Sequence, residues 1–232
     1  ANDRFWQGIR MALGHGPQTL TRDRDLWDIW QSPDLLFAQT CGMPYRTRLH
    51  ENVALVGTPD YGLSGCPAGY YNSIFVAQAD DDRQDLTGFS GGRFAYNEPV
   101  SQSGWAAPAI HMDGLGLHFG ETFQSGGHRD SALAVAQGRA DFAALDALTW
   151  QLIQRYDPFA KNLRVVARTT PTPTLPYITA QTNDVAEIAC AVRSAIAALS
   201  TDDQTTLCLK GVVDISTSAY LAIPNPAPPP PN

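Results

Sequence analysis

The sequence predicts an α/β fold with two lobes. In the middle of the chain, short apolar strands alternate with helical segments of about ten to fifteen residues, which is typical of parallel strand–helix–strand units. Two long extended stretches, 70–78 and 163–180, bracket this block, as a pair of crossover strands between two lobes would. A single doubly wound sheet would give a similar pattern and stays open as an alternative.

Each element rests on the periodicity of its apolar residues and on the turn residues that bound it. Apolar runs predict strands over residues 35–38, 53–57, 70–78, 93–96, 118–123, 141–145, 163–169 and 177–180. Apolar residues at helical spacing predict helices over residues 5–13, 101–112, 128–137, 147–156, 184–199 and 202–210. An acidic start predicts one further short helix, over residues 80–86.

The order of these elements predicts the domain organisation. We expect residues 79–169 to form one lobe, and residues 1–78 together with 170–223 to form the other. Residues 224–232 are rich in proline, which predicts an extended and unpacked tail.

Composition excludes several classes of function. The formal net charge is −7, whereas a nucleic-acid surface needs clustered Lys and Arg. No apolar run approaches the ~20 residues that span a bilayer, so we expect no direct membrane insertion. The first residues lack the basic and apolar regions of a signal peptide, which leaves open whether the chain was processed or never carried an export signal.

The four cysteines show no Cys-x-x-Cys spacing, which argues against a zinc ribbon or a thioredoxin-like site. Their placement predicts two local disulfides, Cys41–Cys66 and Cys190–Cys208, and therefore an oxidising compartment. Four buried thiols in a cytosolic protein are the alternative.

The most informative segment follows the strand that ends at Asn97. Ser101, Gln102, Ser103 and Gly104 open the next helix, where hydroxyls and free N–H groups can converge on an anion at the carboxyl edge of a sheet. The alternative is that Ser101 serves only as an N-cap. Pro108 is unexpected so early in a helix, because it removes a hydrogen bond or forces a kink.

A second helix start has the same character. Gly126 and Gly127 precede His128, which can donate to an anion or simply cap the helix. Asp146 ends the next strand at the same predicted edge, where its carboxylate could accept from a ligand or cap the helix that follows.

Residues Thr40, Tyr45, Tyr70 and Tyr71 lie at loops or strand starts of the other predicted lobe. Tyrosines there could close over a ligand, although packing is the alternative for each of them. Known catalytic and phosphate-loop motifs are absent from the sequence, and its histidines show no metal-ligand spacing. We therefore expect neither a cofactor nor a metal.

These segments together resemble the phosphonate-binding proteins of ABC importers. The resemblance lies in SGGHRDSALAVAQGRADFAALD (125–146), NEPVSQSG (97–104), QTCGMPY (39–45) and GTPDY (57–61). It implies a type II periplasmic binding fold with two α/β lobes, two crossover strands and a hinge. Family members begin with a strand, whereas this chain opens on a helix, so we expect that strand to be missing or supplied by another chain.

The resemblance also implies roles for the candidate residues. Ser101, Gln102, Ser103 and Gly104 would hold the oxyanion, with His128 helping. Tyr45 and Tyr71 would approach it from the other lobe, and Asp146 would meet a cationic part of the ligand. The implied partners are a phosphonate or phosphate-like ligand and the membrane subunits of an ABC importer, in the periplasm. The alternatives are an enzyme on the same fold, with Asp146 and His128 as acid and base, and a sensor domain.

Overall fold

The computed structural model describes residues 1–230. The chain forms two compact units: unit 1 consists of Ala1–Tyr70 and Pro173–Ala222, and unit 2 consists of Tyr71–Thr172 with the segment from Ile223 onward. The chain leaves unit 1 within strand β3 (Tyr70–Tyr71) and returns within strand β9 (Thr172–Pro173). The lobe boundaries predicted from sequence, at 78/79 and 169/170, stay a prediction.

Unit 1 is built from both ends of the chain. Its helices are α1 (Asn2–Leu13), α2 (Leu26–Trp30), α3 (Gly42–Pro44), which continues as the π-helical segment Tyr45–Leu49, α7 (Val185–Ala197), α8 (Thr201–Leu207) and α9 (Thr217–Leu221). Its strands are β1 (Ala38–Gln39), β2 (Val53–Asp60), β10 (Tyr177–Ala180) and β11 (Gly211–Val213).

The sheet of unit 1 has the order β1-β10-β2-β11, and each strand pairs antiparallel with its neighbour. Helix α1 buries Phe5 and Ile9 in a core to which α7 contributes Val192. A salt bridge from Arg4 to Asp203 ties α1 to α8. The N-terminal helix is therefore an integral part of a unit whose other helices come late in the chain.

Unit 2 holds the central part of the chain. Its strands are β4 (Ser73–Gln78), β5 (Phe94–Tyr96), β6 (Thr122–Gln124), β7 (Phe142–Asp146) and β8 (Leu163–Arg168). Its helices are the 3-10 turns Leu86–Phe89 and Pro158–Asn162, the π-helical turn Gln102–Ala106, α4 (Ala107–Gly114), α5 (His128–Ala136) and α6 (Ala147–Tyr156).

The sheet of unit 2 has the order β6-β5-β7-β4-β8. Strand β5 runs parallel to β6 and β7, as the alternation of strands and helices predicts, whereas β4 pairs antiparallel with β7 and β8. Aromatic side chains such as Phe75, Phe94 and Phe142 form the core on one face of this sheet. Because β5 and β7 are parallel and adjacent, their carboxyl ends meet at one edge.

Some elements differ from those that the sequence predicts. The strand expected over 118–123 covers only Thr122–Gln124. Asp85 caps the 3-10 turn Leu86–Phe89, so the acidic segment before it is not helical. Helix α8 is capped by Ser200 rather than Thr201, because the Ser200 side chain accepts from the Asp203 N–H.

The helix that follows β5 shows how Pro108 is accommodated. Ala106 N–H and Ala107 N–H donate to the carbonyls of Ser101 and Gln102, five residues back in each case. Pro108 lacks an N–H and cannot continue this wider pattern, so the chain proceeds as the α-helix α4. The turn Gln102–Ala106 and α4 therefore form one continuous helical segment with an irregular start.

The cysteines correct one prediction. Among residues 1–230, no two cysteines lie at disulfide-bonding distance, so the expected Cys41–Cys66 and Cys190–Cys208 bridges are not supported. Cys190 is exposed on α7, while Cys208 ends α8 in a left-handed conformation and directs its thiol to the Thr205 carbonyl. Disulfides consequently give no argument for an oxidising compartment.

In the C-terminal segment 223–230, Ile223, Pro226 and Pro229 are partly buried and the other residues are exposed, and the unpacked tail expected from sequence stays a prediction. The residues of this segment belong to unit 2, and the Trp105 indole donates to the Ala227 carbonyl over 2.9 Å. Within the described residues, no helix has the length and apolar character needed to cross a membrane.

Candidate functional site

Polar side chains gather at the carboxyl edge of β5 and β7 in unit 2. The turn after β5 leads to Ser101, the loop after β6 leads to His128, and β7 ends at Asp146. All three positions precede or open a helix, so the positive ends of helix dipoles and unpaired N–H groups lie at this edge.

Ser103 and His128 are in direct contact. The Ser103 hydroxyl lies 2.9 Å from His128 Nε2 and forms a hydrogen bond with it. Ser103 is buried, and this contact joins the helical segment after β5 to the start of α5. Two helix starts that the sequence singles out therefore form one polar cluster.

Ser101 acts as the N-cap of the same turn. Its hydroxyl accepts from the Gly104 N–H over 3.0 Å, which is the alternative role that the sequence left open. The Gly104 amide is consequently held by the chain itself, while no described residue accepts from the Ser103 N–H. The Ser103 N–H and hydroxyl are thus the donors at this helix start that are best placed for an anion.

Gly104 permits a close approach within the turn. A Cβ atom at this position would overlap the Asn97 side-chain oxygen. That oxygen is itself buried and has no hydrogen-bond partner in the described part of the chain. The Asn97 side chain therefore packs directly over the helix start, and only glycine leaves room for it.

The charge state of His128 depends on opposing effects. Burial lowers the pKa of His128, and the Asp146 carboxylate and the Ala144 backbone carbonyl oppose this effect by favouring the protonated ring. Nε2 of the neutral imidazole either accepts from or donates to the Ser103 hydroxyl, according to the ring tautomer, and a bound anion would favour the imidazolium.

Asp146 is buried and caps α6. One of its oxygens accepts from the Thr149 N–H over 2.8 Å, which again is the structural role that the sequence left open. Asp146 also lies opposite Ser73 in the pairing of β7 with β4. The carboxylate therefore neighbours both the imidazole of His128 and strand β4, which lies outside the site predicted from sequence.

Two buried polar residues of that strand region were missed. The Asn72 side-chain oxygen and the Ser73 hydroxyl are buried without a hydrogen-bond partner among residues 1–230. Burial of an unpaired polar group costs about 1–3 kcal/mol, so such groups are usually satisfied by water or a ligand. Nothing in the local sequence distinguishes these two residues, because their burial follows from the pairing of β4 with β7, which places Ser73 opposite Asp146.

The remaining candidates are found in other surroundings. Gln102 lies at the helix start, and its side-chain amide donates to the Thr172 hydroxyl over 3.4 Å. Tyr71 is buried where unit 2 begins. In unit 1, the Tyr45 hydroxyl bonds to Thr217 within an apolar core, and the buried Thr40 hydroxyl has no described partner. Binding roles for Tyr45, Tyr71 and Thr40 stay predictions.

The described residues contain no group of three or more His, Cys, Asp or Glu side chains that could hold a metal ion. The polar groups of the cluster at the edge of β5 and β7 are instead hydroxyls, amides, one imidazole and one carboxylate. This combination suits the recognition of a small polar molecule by hydrogen bonds.

This architecture is the type II periplasmic binding fold, an α/β arrangement in which the chain passes from one unit to a second and back. Proteins with this fold include the substrate-binding components of transporters. The chain belongs to the family described as ABC transporter, phosphonate, periplasmic substrate-binding protein, which it matches over residues 35–220.

Several solved structures share this fold. PhnD1 from Prochlorococcus marinus, in complex with methylphosphonate, has a TM-score of 0.74 at 16% identity, covering 94% of this chain and 88% of that one. PA3383 from Pseudomonas aeruginosa, a binding protein component of an ABC phosphonate transporter, has a TM-score of 0.72 at 18% identity, covering 95% and 78%.

XAC2383 from Xanthomonas citri, bound to ATP, is also similar, with a TM-score of 0.68 at 15% identity, covering 94% of this chain and 86% of that one. No curated protein matches the sequence. The family is one of binding proteins, which favours a transport role over the alternative of an enzyme on the same fold.

Proposed function

We propose that this chain binds a phosphonate, phosphate or related small oxyanion at the start of the helical segment Gln102–Gly114. The observation that carries the proposal is the hydrogen bond between Ser103 and His128, which joins two helix starts at one edge of the sheet. The family to which the chain belongs supports an oxyanion as the ligand.

The binding energy would come from neutral donors. When His128 Nε2–H donates to the Ser103 oxygen, the Ser103 N–H and the Ser103 hydroxyl can both donate to oxygens of one anion, and the helix dipole favours its charge. Hydrogen bonds to a charged acceptor contribute about 1.5–3 kcal/mol each, so these two donors can hold an anion without Lys or Arg. A net charge of −7 is compatible with this, because the field is local.

The organic part of the ligand would lie toward Asp146. Its carboxylate and the neighbouring Ser73 hydroxyl oxygen can accept from an amine or hydroxyl group on the ligand. Thr40, Tyr45 and Tyr71 are further proposed contacts of the ligand. The proposed partner of the loaded protein is the membrane component of an ABC importer, and the proposed location is the periplasm.

A ligand screen by thermal shift and titration calorimetry tests this proposal. We expect methylphosphonate, 2-aminoethylphosphonate, phosphite or phosphate to raise the melting temperature, since ligand at a hundred times its Kd stabilises by about 2.7 kcal/mol. The double variant Ser101→Ala/Ser103→Ala should lose this response while keeping its circular dichroism spectrum.

The matched control is Ser194→Ala, which changes an exposed serine on α7 of unit 1 and should leave binding unchanged. Retention of affinity by the double variant would show that the anion site is assigned wrongly. Turnover of the ligand, or no response to any oxyanion, would contradict the transport proposal itself.

A further inference from the structure

The C-terminal segment 223–230, here called the strap, lies on unit 2 with a regular pattern of burial. Ile223, Pro226 and Pro229 are partly buried, and the residues between them are exposed. A polyproline II helix has three residues per turn, so every third residue faces the same side. The strap therefore lies along unit 2 as an extended, proline-rich ribbon with one face inward.

Trp105 provides the polar contact for the strap. Its indole N–H donates to the Ala227 carbonyl over 2.9 Å. The Trp105 ring is buried and packs against the rings of Tyr96 and Phe119. An aromatic residue that also donates to a carbonyl is the means by which folded domains recognise proline-rich peptides, since polyproline carbonyls have no internal partners.

The first residues of the strap also contact a cavity beside the same helical segment. Ile223 and Pro224 line a cavity of about 450 Å³ together with Gln102 and with Ala107 and Ile110 of α4. The strap therefore meets the helical segment at two places, at this cavity and at Trp105.

The helical segment starts irregularly. Its first turn is π-helical, the Ser101 hydroxyl caps it, and Pro108 supplies no N–H to it. Trp105 follows Ser103 and Gly104 within this turn. A contact that fixes Trp105 therefore also fixes the direction of the Ser103 N–H and hydroxyl.

We propose that the strap positions the anion-binding turn, with Trp105 as the positioning residue through which it acts. The inference rests on the proposed function, because it concerns the affinity of that site. The strap does not contact the ligand; it restricts the turn to the conformation in which Ser103 reaches His128, and it thereby lowers the entropy lost on binding.

The central experiment compares the full chain with its Trp105→Phe variant, which keeps an aromatic ring but removes the indole donor. We expect the Kd for methylphosphonate, measured by calorimetry, to rise about two- to tenfold, the range of a typical neutral hydrogen bond. The matched control is Trp150→Phe in α6, which alters another buried tryptophan of unit 2 and should leave the Kd unchanged.

A second arm removes residues 223–232. This truncation should weaken binding at least as much as Trp105→Phe, and adding Trp105→Phe to it should cause no further loss, because both changes remove the same contact. A synthetic peptide of residues 223–230 added in trans should restore part of the affinity. If the strap only stabilised the fold, its removal would lower the melting temperature but leave the Kd unchanged. The added peptide would then not change the Kd either.

The outcomes separate the two proposals. If the full chain binds methylphosphonate and both Trp105→Phe and the truncation bind it with unchanged Kd, the positioning role is wrong and the proposed function stands. If the full chain binds no oxyanion, the proposed function fails and the positioning role falls with it. If the truncated chain does not fold, the Trp105→Phe comparison decides.

Discussion

The Ser103 hydroxyl and the His128 Nε2 atom form a 2.9 Å hydrogen bond, although 25 residues separate them in the chain. The parallel pairing of β5 with β6 brings about this contact, because the helix that follows each strand begins at the same edge of the sheet. Two short sequence signals thus meet in one polar cluster.

A double-mutant cycle measures the coupling free energy between Ser103 and His128. We expect Ser103→Ala and His128→Gln, alone and together, to give a coupling free energy of about 0.5–3 kcal/mol in urea unfolding, as residues in one network do. The coupling should be larger when methylphosphonate is present, since the ligand adds a common partner. Additive effects in both conditions would contradict the contact.

Gly104 gives a prediction about shape. A Cβ atom at this position would overlap Asn97, so Gly104→Ala should destabilise the fold by about 1–3 kcal/mol and weaken oxyanion binding. Gly114→Ala is the control in the same helical segment, because a Cβ there meets no atom within 4 Å. That change should be neutral or stabilise by up to about 1 kcal/mol. Equal effects of the two alanines would argue against the close packing of Asn97.

His128 gives a prediction about pH. Burial lowers its pKa below the ordinary value of 6.5, so the unfolded chain takes up the proton more readily than the folded one. Its contribution to stability is therefore complete above about pH 6.5 and declines as the pH falls toward the folded-state pKa. We expect His128→Gln to flatten the decrease in unfolding free energy between about pH 8 and about pH 5.

The slope that remains in this variant should include His111, whose pKa burial also lowers. The comparison of the two proteins isolates the contribution of His128. Identical slopes would mean that His128 titrates normally in the folded protein.

Ser73 gives a prediction in which stability and affinity change in opposite directions. Its buried hydroxyl has no partner among residues 1–230, so Ser73→Ala should leave stability unchanged or raise it by about 1 kcal/mol. The same change should weaken the binding of 2-aminoethylphosphonate more than that of methylphosphonate, which has no donor to reach it. The proposed ligand contact is wrong if both ligands keep their affinity.

The sequence predicts the elements with strong local signals. Helix α6 has the expected bounds of 147–156 because Asp146 caps its first turn, and β10 has the expected bounds of 177–180 between turn residues. Helix α2, the segment from Gly42 to Leu49, β11 and α9 are absent from the prediction. These elements are short, and packing against distant residues, as between Tyr45 and Tyr220, stabilises them rather than local propensity.

The candidate site divides in the same way. Ser103 and His128 can be found from sequence, because each stands where a strand gives way to a helix. Asn72 and Ser73 cannot, because their burial follows from the register of β4 with β7 and from a hydrogen bond between the Ser73 N–H and Thr169. The disulfide prediction fails for a related reason, since proximity along the chain does not bring two thiols into bonding geometry.

The interrupted path of the chain through unit 1 has a consequence for biosynthesis. An insertion of about a hundred residues, the main part of unit 2, separates the two portions of unit 1. Ribosomes synthesise a chain from its N-terminus, so the sheet of the inserted unit can assemble before α7, the packing partner of α1, has been synthesised. Bringing the two portions of unit 1 together closes a long loop, which is entropically unfavourable if the insertion is disordered. Prior folding of the insertion shortens the effective loop. Joining the first and last residues of this sequence and opening the chain within the insertion would therefore reverse the order in which the two units form.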